Sequence, residues 1–165
     1  MSSPFQTLPL TYLISLPPSA LSNIPLNLTL NLNKSLLTYD KRLKGILCSY
    51  SDMSFKDNKP FGKIINENPW LNFKVQFNGL IFSPHPGIIL KGEINKISSG
   101  HIGILIYNVF NASVMSENLK EWSYNEDGEC WEKGGESMEV GGEVEFKVEG
   151  EREEEGVVSF FGSVE

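Results

Sequence analysis

Hydrophobic and polar positions alternate in several short stretches of the first half of the chain. Residues 8–16 are apolar and extended in character until Pro17 and Pro18 stop them. The clearest strand lies at 70–77, where every second side chain is apolar: Leu71, Phe73, Val75 and Phe77. Two shorter apolar pieces, at 46–50 and 61–65, flank a polar segment at 51–60 that predicts a loop. The pattern predicts two or three half-buried strands.

Residues 23–37 carry two conflicting patterns. Leucines alternate with Asn and Thr at the period of a strand, at Leu26, Leu28, Leu30 and Leu32. Later leucines, at 32, 36 and 37 and on to Leu43, instead fit a helix that Gly45 would close. Basic side chains at 41, 42 and 44 would favour the C-terminal end of that helix. Local periodicity leaves the choice open, and with a helix this half is α+β.

The second half predicts five strands and no helix. The stretches alternate at 88–97, 101–107, 110–114, 144–148 and 157–164. A long polar connection at 116–139 separates the third stretch from the fourth, and residues 149–156 predict a turn before the fifth. Five strands with one long excursion are typical of the Greek-key OB barrel. We therefore expect an all-β OB domain after the α+β half.

A proline pair divides the two halves. Pro84 and Pro86 flank His85, and this spacing forbids a regular strand or helix there. The predicted domains are residues 1–83 and residues 84–165, each small for an independent fold. Residues 79–82 and Trp70 are candidate partner surface, although burial in the core is the preferred interpretation for both.

The distribution of charged residues divides the chain near residue 120 rather than at the proline pair. Residues 1–120 hold 11 bases and six acids, whereas residues 121–155 hold three bases and 14 acids, within a net charge of -7. Such asymmetry indicates a macromolecular partner, or acids that keep turns and strand faces solvated. The apolar runs are too short to span a bilayer, and no basic, then apolar, signal segment is visible. We expect an intracellular protein without membrane contact.

Candidate catalytic chemistry is sparse. His85 and His101 have no second ligand at metal-binding spacing, so no metal and no cofactor is expected. Cys48 and Cys130 lie 82 positions apart and predict free, buried thiols. Glycine pairs lie in acidic turns that would repel phosphate, and the glutamates of 149–155 fit a solvated tip. An enzyme is therefore disfavoured.

A nucleic-acid face is more plausible, because OB barrels stack bases on exposed aromatics beside basic residues. The candidates lie on or near the outward positions of the first two predicted barrel strands: Lys91, Lys96, His101, Tyr107 and Phe110. Phe110 also fits the core, and Lys91 also fits a merely solvated strand face. The acidic quarter opposes avid unspecific phosphate binding.

The chain resembles a known family, the stalk subunit of RNA polymerase I, which has counterparts in polymerases II and III and in the archaeal polymerase. The family's OB-domain signature appears as Gly-His-Ile-Gly-Ile-Leu at 100–105 and Phe-Asn-Ala-Ser-Val at 110–114. Residues 32–45 are similar to its helix-then-glycine segment, and residues 156–162 to its last strand. The resemblance covers residues 10–165.

The resemblance implies a truncated RNP-like tip domain followed by an S1-like OB domain, with a helix at 23–37. It implies a non-catalytic subunit that binds the polymerase core through the tip loop: Gly62, Lys63, Ile64, Ile65 and Asn66. Implied partners are the core subunits, a small stalk partner, the polymerase I initiation factor and exiting single-stranded RNA, in the nucleus and nucleolus. The alternatives are a free-standing RNA-binding OB module and the polymerase III stalk paralogue.

Overall fold

The computed structural model describes residues 3–154 and 157–164, and its chain separates into two units at Pro84. The first unit holds residues 3–83 and the second begins at Pro84. Within the described residues, no helix has both the length and the apolar character needed to cross a bilayer.

The first unit is a five-stranded sheet with one helix. Its elements are β1 (Phe5–Leu16), α1 (Ile24–Asn33), β2 (Tyr39–Asp40), β3 (Gly45–Phe55), β4 (Lys63–Ile65) and β5 (Asn68–Phe82). The sheet order is β1-β5-β3-β2, and β4 pairs with the beginning of β5. Every pairing is antiparallel. Short 3₁₀ turns at Pro18–Asn23 and Lys56–Asn58 complete the unit.

Of the two patterns at 23–37, the structure has the helix, and this helix is shorter than the helical pattern suggested. The Asn23 side chain accepts a hydrogen bond from the Leu26 amide at 3.2 Å, and Pro25 fits the first turn. The expected closure by Gly45 is wrong, because α1 ends at Asn33 and Gly45 begins β3. A side chain at Gly45 would have its Cβ only 2.6 Å from Ile81 Cγ2, so the position requires glycine.

One face of the sheet carries the core of the first unit. Leu28 and Leu32 of the helix pack with apolar side chains of β1, β3 and β5, among them Phe73, Val75 and Phe77. The strand predicted at 70–77 is therefore confirmed, and it extends to 68–82. The predicted loop at 51–60 is partly wrong, because β3 continues to Phe55.

Five strands of the second unit close into a barrel. They are β6 (Ile89–Ile97), β7 (His101–Ile106), β8 (Phe110–Met115), β12 (Glu143–Glu154) and β13 (Val157–Ser163). The order around the barrel is β12-β13-β8-β7-β6, and β12 pairs with β6 to complete the ring. The β13–β8 pair is parallel, whereas the other neighbours are antiparallel. Inward positions alternate along each strand, as at Ile102, Ile104 and Ile106.

The long connection folds into a small sheet of its own, which the sequence did not predict. Its strands are β9 (Ser123–Asn125), β10 (Cys130–Lys133) and β11 (Glu136–Met138). Trp131 is buried, and its indole N–H donates to the Ser98 carbonyl at 3.1 Å. The turn predicted at 149–156 is also wrong for residues 149–154, because β12 continues to Glu154. Residues 155 and 156 of that prediction lie outside the described residues.

Candidate functional site

The tip loop that the resemblance singled out is a tight β-hairpin. Lys63, Ile64 and Ile65 form β4, and Ile65 pairs with Asn68 across a two-residue turn. Asn66 and Glu67 both have positive φ, 52° and 59°, as a type I′ hairpin turn requires. The preceding glycine lets the segment approach β5, since a Cβ on Gly62 would lie 2.7 Å from both Leu71 Cδ2 and Phe73 Cζ. The segment is thus held closely against β5.

This hairpin exposes large apolar side chains. Phe61 is 73% exposed, Ile64 is 63% exposed and Ile65 and Trp70 are each 44% exposed. Four large apolar side chains are thus exposed within ten residues of one hairpin, and two of them, Phe61 and Ile65, line the same cleft. Contiguous exposed apolar side chains of this kind mark protein interaction sites. The preferred interpretation of Trp70 as a core residue is wrong, whereas Ile81 and Phe82 of the 79–82 run are buried as expected.

Sequence reasoning missed Phe61. It follows Pro60 and precedes Gly62, so the local pattern indicates only a short extended piece. Its exposure depends on the path of the loop from the 3₁₀ turn at Lys56–Asn58 into β4. The available signal was an aromatic residue between Pro and Gly in a polar segment, which is a poor environment for a core side chain.

The predicted RNA-binding residues lie at two ends of the β6–β7 pair. Lys96 lies opposite Gly103 near the β6–β7 turn, and His101 begins β7, where Ser98 Oγ lies 3.0 Å from His101 Nδ1. Tyr107, 54% exposed with φ 50°, occupies the turn after β7 at the other end. At ~3.3 Å per residue, the six-residue strand separates the two ends by about 20 Å.

Acidic neighbours weaken the phosphate-binding potential of this face. Lys91 Nζ lies 3.0 Å from Glu145 Oε1 on the adjacent strand. The hydrogen bond from Lys91 to Glu145 and the charge of that carboxylate raise the pKa of Lys91 above the usual lysine value. Glu93 pairs directly with Glu143 in the same β6–β12 ladder. Lys91 is therefore a partner of this acidic strand face rather than an unpaired phosphate ligand.

The prediction that Phe110 contacts RNA needs correction. Its side chain is only 7% exposed, and it begins β8 at an inward position of the barrel. A ring that fills the barrel core has no exposed face on which a base can stack. Lys96, His101 and Tyr107 remain accessible to a ligand.

No constellation within the described residues suggests catalysis. Three or more metal-binding side chains do not come together anywhere in 3–154 or 157–164. Both thiols are free, and burial raises the pKa of Cys48 and of Cys130 above the usual thiol value. A thiol with a raised pKa is a poor nucleophile at neutral pH.

The most perturbed carboxyl group is structural. Arg42 Nη2 lies 2.7 Å from Asp40 Oδ2, and the hydrogen bonds from Arg42 lower the pKa of Asp40 to about 2. Tyr12 donates its hydroxyl to the same carboxylate at 3.2 Å. Burial and the Asp40 charge raise the pKa of Tyr12. The three side chains satisfy one another and link β1 to β2.

Comparisons with known proteins agree with the geometry. The family model described as the RPA43 OB domain in RNA Pol I matches residues 84–157, which cover most of the barrel unit. DNA-directed RNA polymerase I subunit rpa43 of Schizosaccharomyces pombe is 31% identical over 151 residues, covering 87% of this chain and 86% of that relative.

Vertebrate relatives match over a similar share of the chain. RPA43 of Danio rerio is 32% identical over 136 residues, which are 82% of this chain and 32% of that protein. RPA43 of Homo sapiens is 31% identical over 138 residues, which are 82% of this chain and 37% of that protein. The chain spans about a third of the length of these vertebrate relatives. Together with the match to the fission yeast protein, they show that this chain belongs to the RPA43 family of RNA polymerase I subunits.

Proposed function

We propose that this chain is a non-catalytic stalk subunit of DNA-directed RNA polymerase I, anchored to the polymerase core by its tip hairpin. The observation that carries the proposal is the β4–β5 hairpin, which exposes Ile64, Ile65, Phe61 and Trp70 at the position where the family resemblance puts the core-binding loop. Apolar side chains held on a rigid hairpin are suited to insertion into a pocket of a partner protein.

The proposed architecture assigns a domain type to each unit. Residues 1–83 form a truncated RNP-like tip domain, and residues 84–165 form an S1-like OB domain. A helix packed on one face of an antiparallel sheet supports the first assignment. A five-stranded closed barrel with one long excursion before its last hairpin supports the second.

Further partners follow from the same assignment. The subunit recruits the initiation factor to polymerase I for ribosomal RNA gene transcription and pairs with a small stalk partner, in the nucleus and nucleolus. Exiting RNA passes the barrel near Lys96, His101 and Tyr107, which are accessible at its surface. With acidic residues on the neighbouring strand face, such contacts are weak and depend on the polymerase to hold the RNA nearby.

Affinity purification tests the proposal. A tagged copy of the full chain is expected to recover the two large subunits of RNA polymerase I in stoichiometric amounts, identified by mass spectrometry. Recovery of polymerase III subunits instead would overturn the assignment in favour of the paralogue. The fission yeast, zebrafish and human relatives are all polymerase I subunits, which favours the first outcome.

The rival function, a free-standing single-stranded RNA-binding module, is tested separately. Binding of a labelled RNA of about 12 nucleotides is measured by fluorescence anisotropy as the KCl concentration rises from about 50 to about 200 mM. We expect no saturable binding at the higher salt concentration, because few unpaired bases line the barrel face. Tight, salt-resistant binding that is lost in the variant Tyr107→Ala would favour the rival.

A further inference from the structure

A basic cleft opens on the sheet face opposite α1. Its volume is about 340 Å³, and its apolar lining comes from Leu13, Phe61 and Ile65. Four lysines surround these side chains: Lys56, Lys59, Lys63 and Lys74. Asp57 is the single acid among the described residues of the lining. We call this feature the lysine groove.

Strand register explains how residues that are distant in sequence meet in the lysine groove. Leu13 of β1 lies directly opposite Lys74 of β5, while Lys63 of β4 lies opposite Asn72 on the other side of β5. Alternate residues of a strand share a face, so these side chains emerge opposite to Phe73, which is buried against α1. Lys63 and Lys74 are then diagonal neighbours, about 7–8 Å apart between their Cα atoms.

The remaining two lysines come from the 3₁₀ turn beside the sheet. Asp57 and Asn58 have φ values of 57° and 53°, and the Lys59 amide donates to the Lys56 carbonyl at 3.2 Å. Short polar side chains tolerate this left-handed backbone better than others. The turn therefore places Lys56 and Lys59 on either side of a tight bend at the rim of the groove.

The lysines of the groove lack ion-pair partners among the described residues. None of its four lysines forms an ion pair with another residue of the part that the structure describes. Other bases do have acidic partners: Arg42 pairs with Asp40, Lys91 with Glu145 and Lys133 with Glu121. Four like charges around one cleft repel one another, and an anionic ligand would relieve that repulsion.

We propose that the lysine groove receives an acidic segment of a polymerase core subunit, with carboxylates on the lysines and an apolar side chain against Leu13 and Ile65. This inference rests on the proposed function and adds the chemistry of the surface to which the tip binds. Charge complementarity of this kind sets the orientation and the association rate of a complex. The groove thus determines how the hairpin approaches the core.

The lining favours a protein segment over RNA. Single-stranded RNA is bound by aromatic platforms on which successive bases stack. Among the described lining residues, Phe61 is the only aromatic side chain, and the other apolar members are aliphatic. Aliphatic side chains beside lysines complement a protein segment that carries both acidic and apolar side chains.

Zero-length cross-linking tests this inference on the purified, complete polymerase that contains the chain. A carbodiimide joins a lysine directly to a carboxylate in contact with it, and mass spectrometry then identifies both residues. We expect links from at least two of the four groove lysines to Asp or Glu side chains of core subunits. Lys34, an exposed lysine outside the groove, serves as the internal reference.

Several outcomes would overturn the inference. Links from Lys34 but none from the groove lysines would do so while the proposed function stands. Links to the acids of β12 in a second copy of this chain, or ultraviolet cross-linking of Phe61 to RNA, would assign the groove to another occupant. Failure of the chain to co-purify with polymerase I would overturn the proposed function and this inference together.

Charge reversal provides an independent measurement. The double variant Lys63→Glu/Lys74→Glu is expected to bind the polymerase core about tenfold more weakly at about 150 mM KCl. The matched control Lys34→Glu/Lys44→Glu makes the same charge change outside the groove and should bind within twofold of wild type. Equal losses in both variants would show a bulk charge effect and contradict the proposal. Circular dichroism verifies folding, and Lys63→Gln/Lys74→Gln should give an intermediate loss.

Discussion

The two units are both built mainly of antiparallel strands, yet they carry opposite charge. Residues 3–83 contain eight bases and four acids, whereas the remainder of the chain after Ser83 contains six bases and 17 acids. In the first unit, four lysines converge on one cleft without acidic partners among the described residues. In the second unit, acids follow the outward positions of β12, where Glu145 neutralises Lys91. The two units therefore present surfaces of opposite charge, which suit ligands of opposite charge.

Sheet closure distinguishes the units further. The barrel pairs β12 with β6 and so has no free edge along its ring. The first sheet remains open, and β1 and β4 each pair on one side only among the described strands. In the open unit, the short edge strand β4 carries the exposed hairpin and one side of the lysine groove. These features support the proposal that the open unit anchors the chain.

The largest expected effect tests the core of the open unit. Replacing Phe73 by alanine should lower the free energy of unfolding of that unit by about 3–5 kcal/mol, because the ring is buried in its core. Hydrogen exchange of β3 and β5 amides measures the change. Leu13→Ala, on the opposite face of the same sheet, is the control and should change it by less than ~0.5 kcal/mol. Similar losses in both would show that the groove face is part of the core.

The next effect tests closure of the barrel. A Cβ on Gly162 would lie 1.9 Å from the Lys147 carbonyl oxygen, across the β12–β13 pair. Gly162→Ala should therefore destabilise the barrel unit by about 3 kcal/mol, since one backbone must move away. Urea unfolding followed by far-ultraviolet circular dichroism measures it. Gly100→Ala has open space around its Cβ and should be close to neutral. A stable Gly162→Ala variant would argue against the closed register.

The smallest effect concerns acid stability of the open unit. The pKa of Asp40 is about 2 in the folded chain, below its ordinary value of 3.8, because Arg42 stabilises the carboxylate. The stabilisation is therefore complete above about pH 4 and is lost as the pH falls through about 2. Asp40→Asn should cost at most about 1 kcal/mol at neutral pH, since Arg42 is largely exposed. Thermal melts from acid to neutral pH should show a shallower acid dependence in the variant, and an unchanged dependence would contradict the assignment.

Strands with one buried face were predictable from the sequence, and the helix was not. In β5, β6 and β7 each second residue is apolar because the opposite face meets solvent. The leucines of α1 also alternate, and the helix buries Leu28 and Leu32 while it exposes Leu26 and Leu30. The alternation in α1 therefore arises because leucines occupy both the buried and the exposed face of the helix. The family resemblance, rather than periodicity, gave the correct element.

The candidate sites were predictable only where they depend on local sequence. The family resemblance singled out residues 62–66 as a tip loop, whereas the structure shows that the segment forms a hairpin with a two-residue turn at Asn66 and Glu67. The lysine groove could not be predicted, because Leu13 meets Lys63 and Lys74 only through strand register. The sheet of β9 to β11 was missed because its three- and four-residue strands, rich in polar residues, show no clear alternation.

One substitution tests most directly the claim that the open unit anchors the chain. Ile64 and Val140 are equally exposed, at 63% and 64%, on the tip hairpin and in the barrel unit respectively. With Ile64→Asp, we expect the chain to bind the purified polymerase I core at least about tenfold more weakly, a loss of ~1.4 kcal/mol. Val140→Asp should bind within twofold of wild type. Equal binding of all three proteins, or a loss confined to Val140→Asp, would contradict the account.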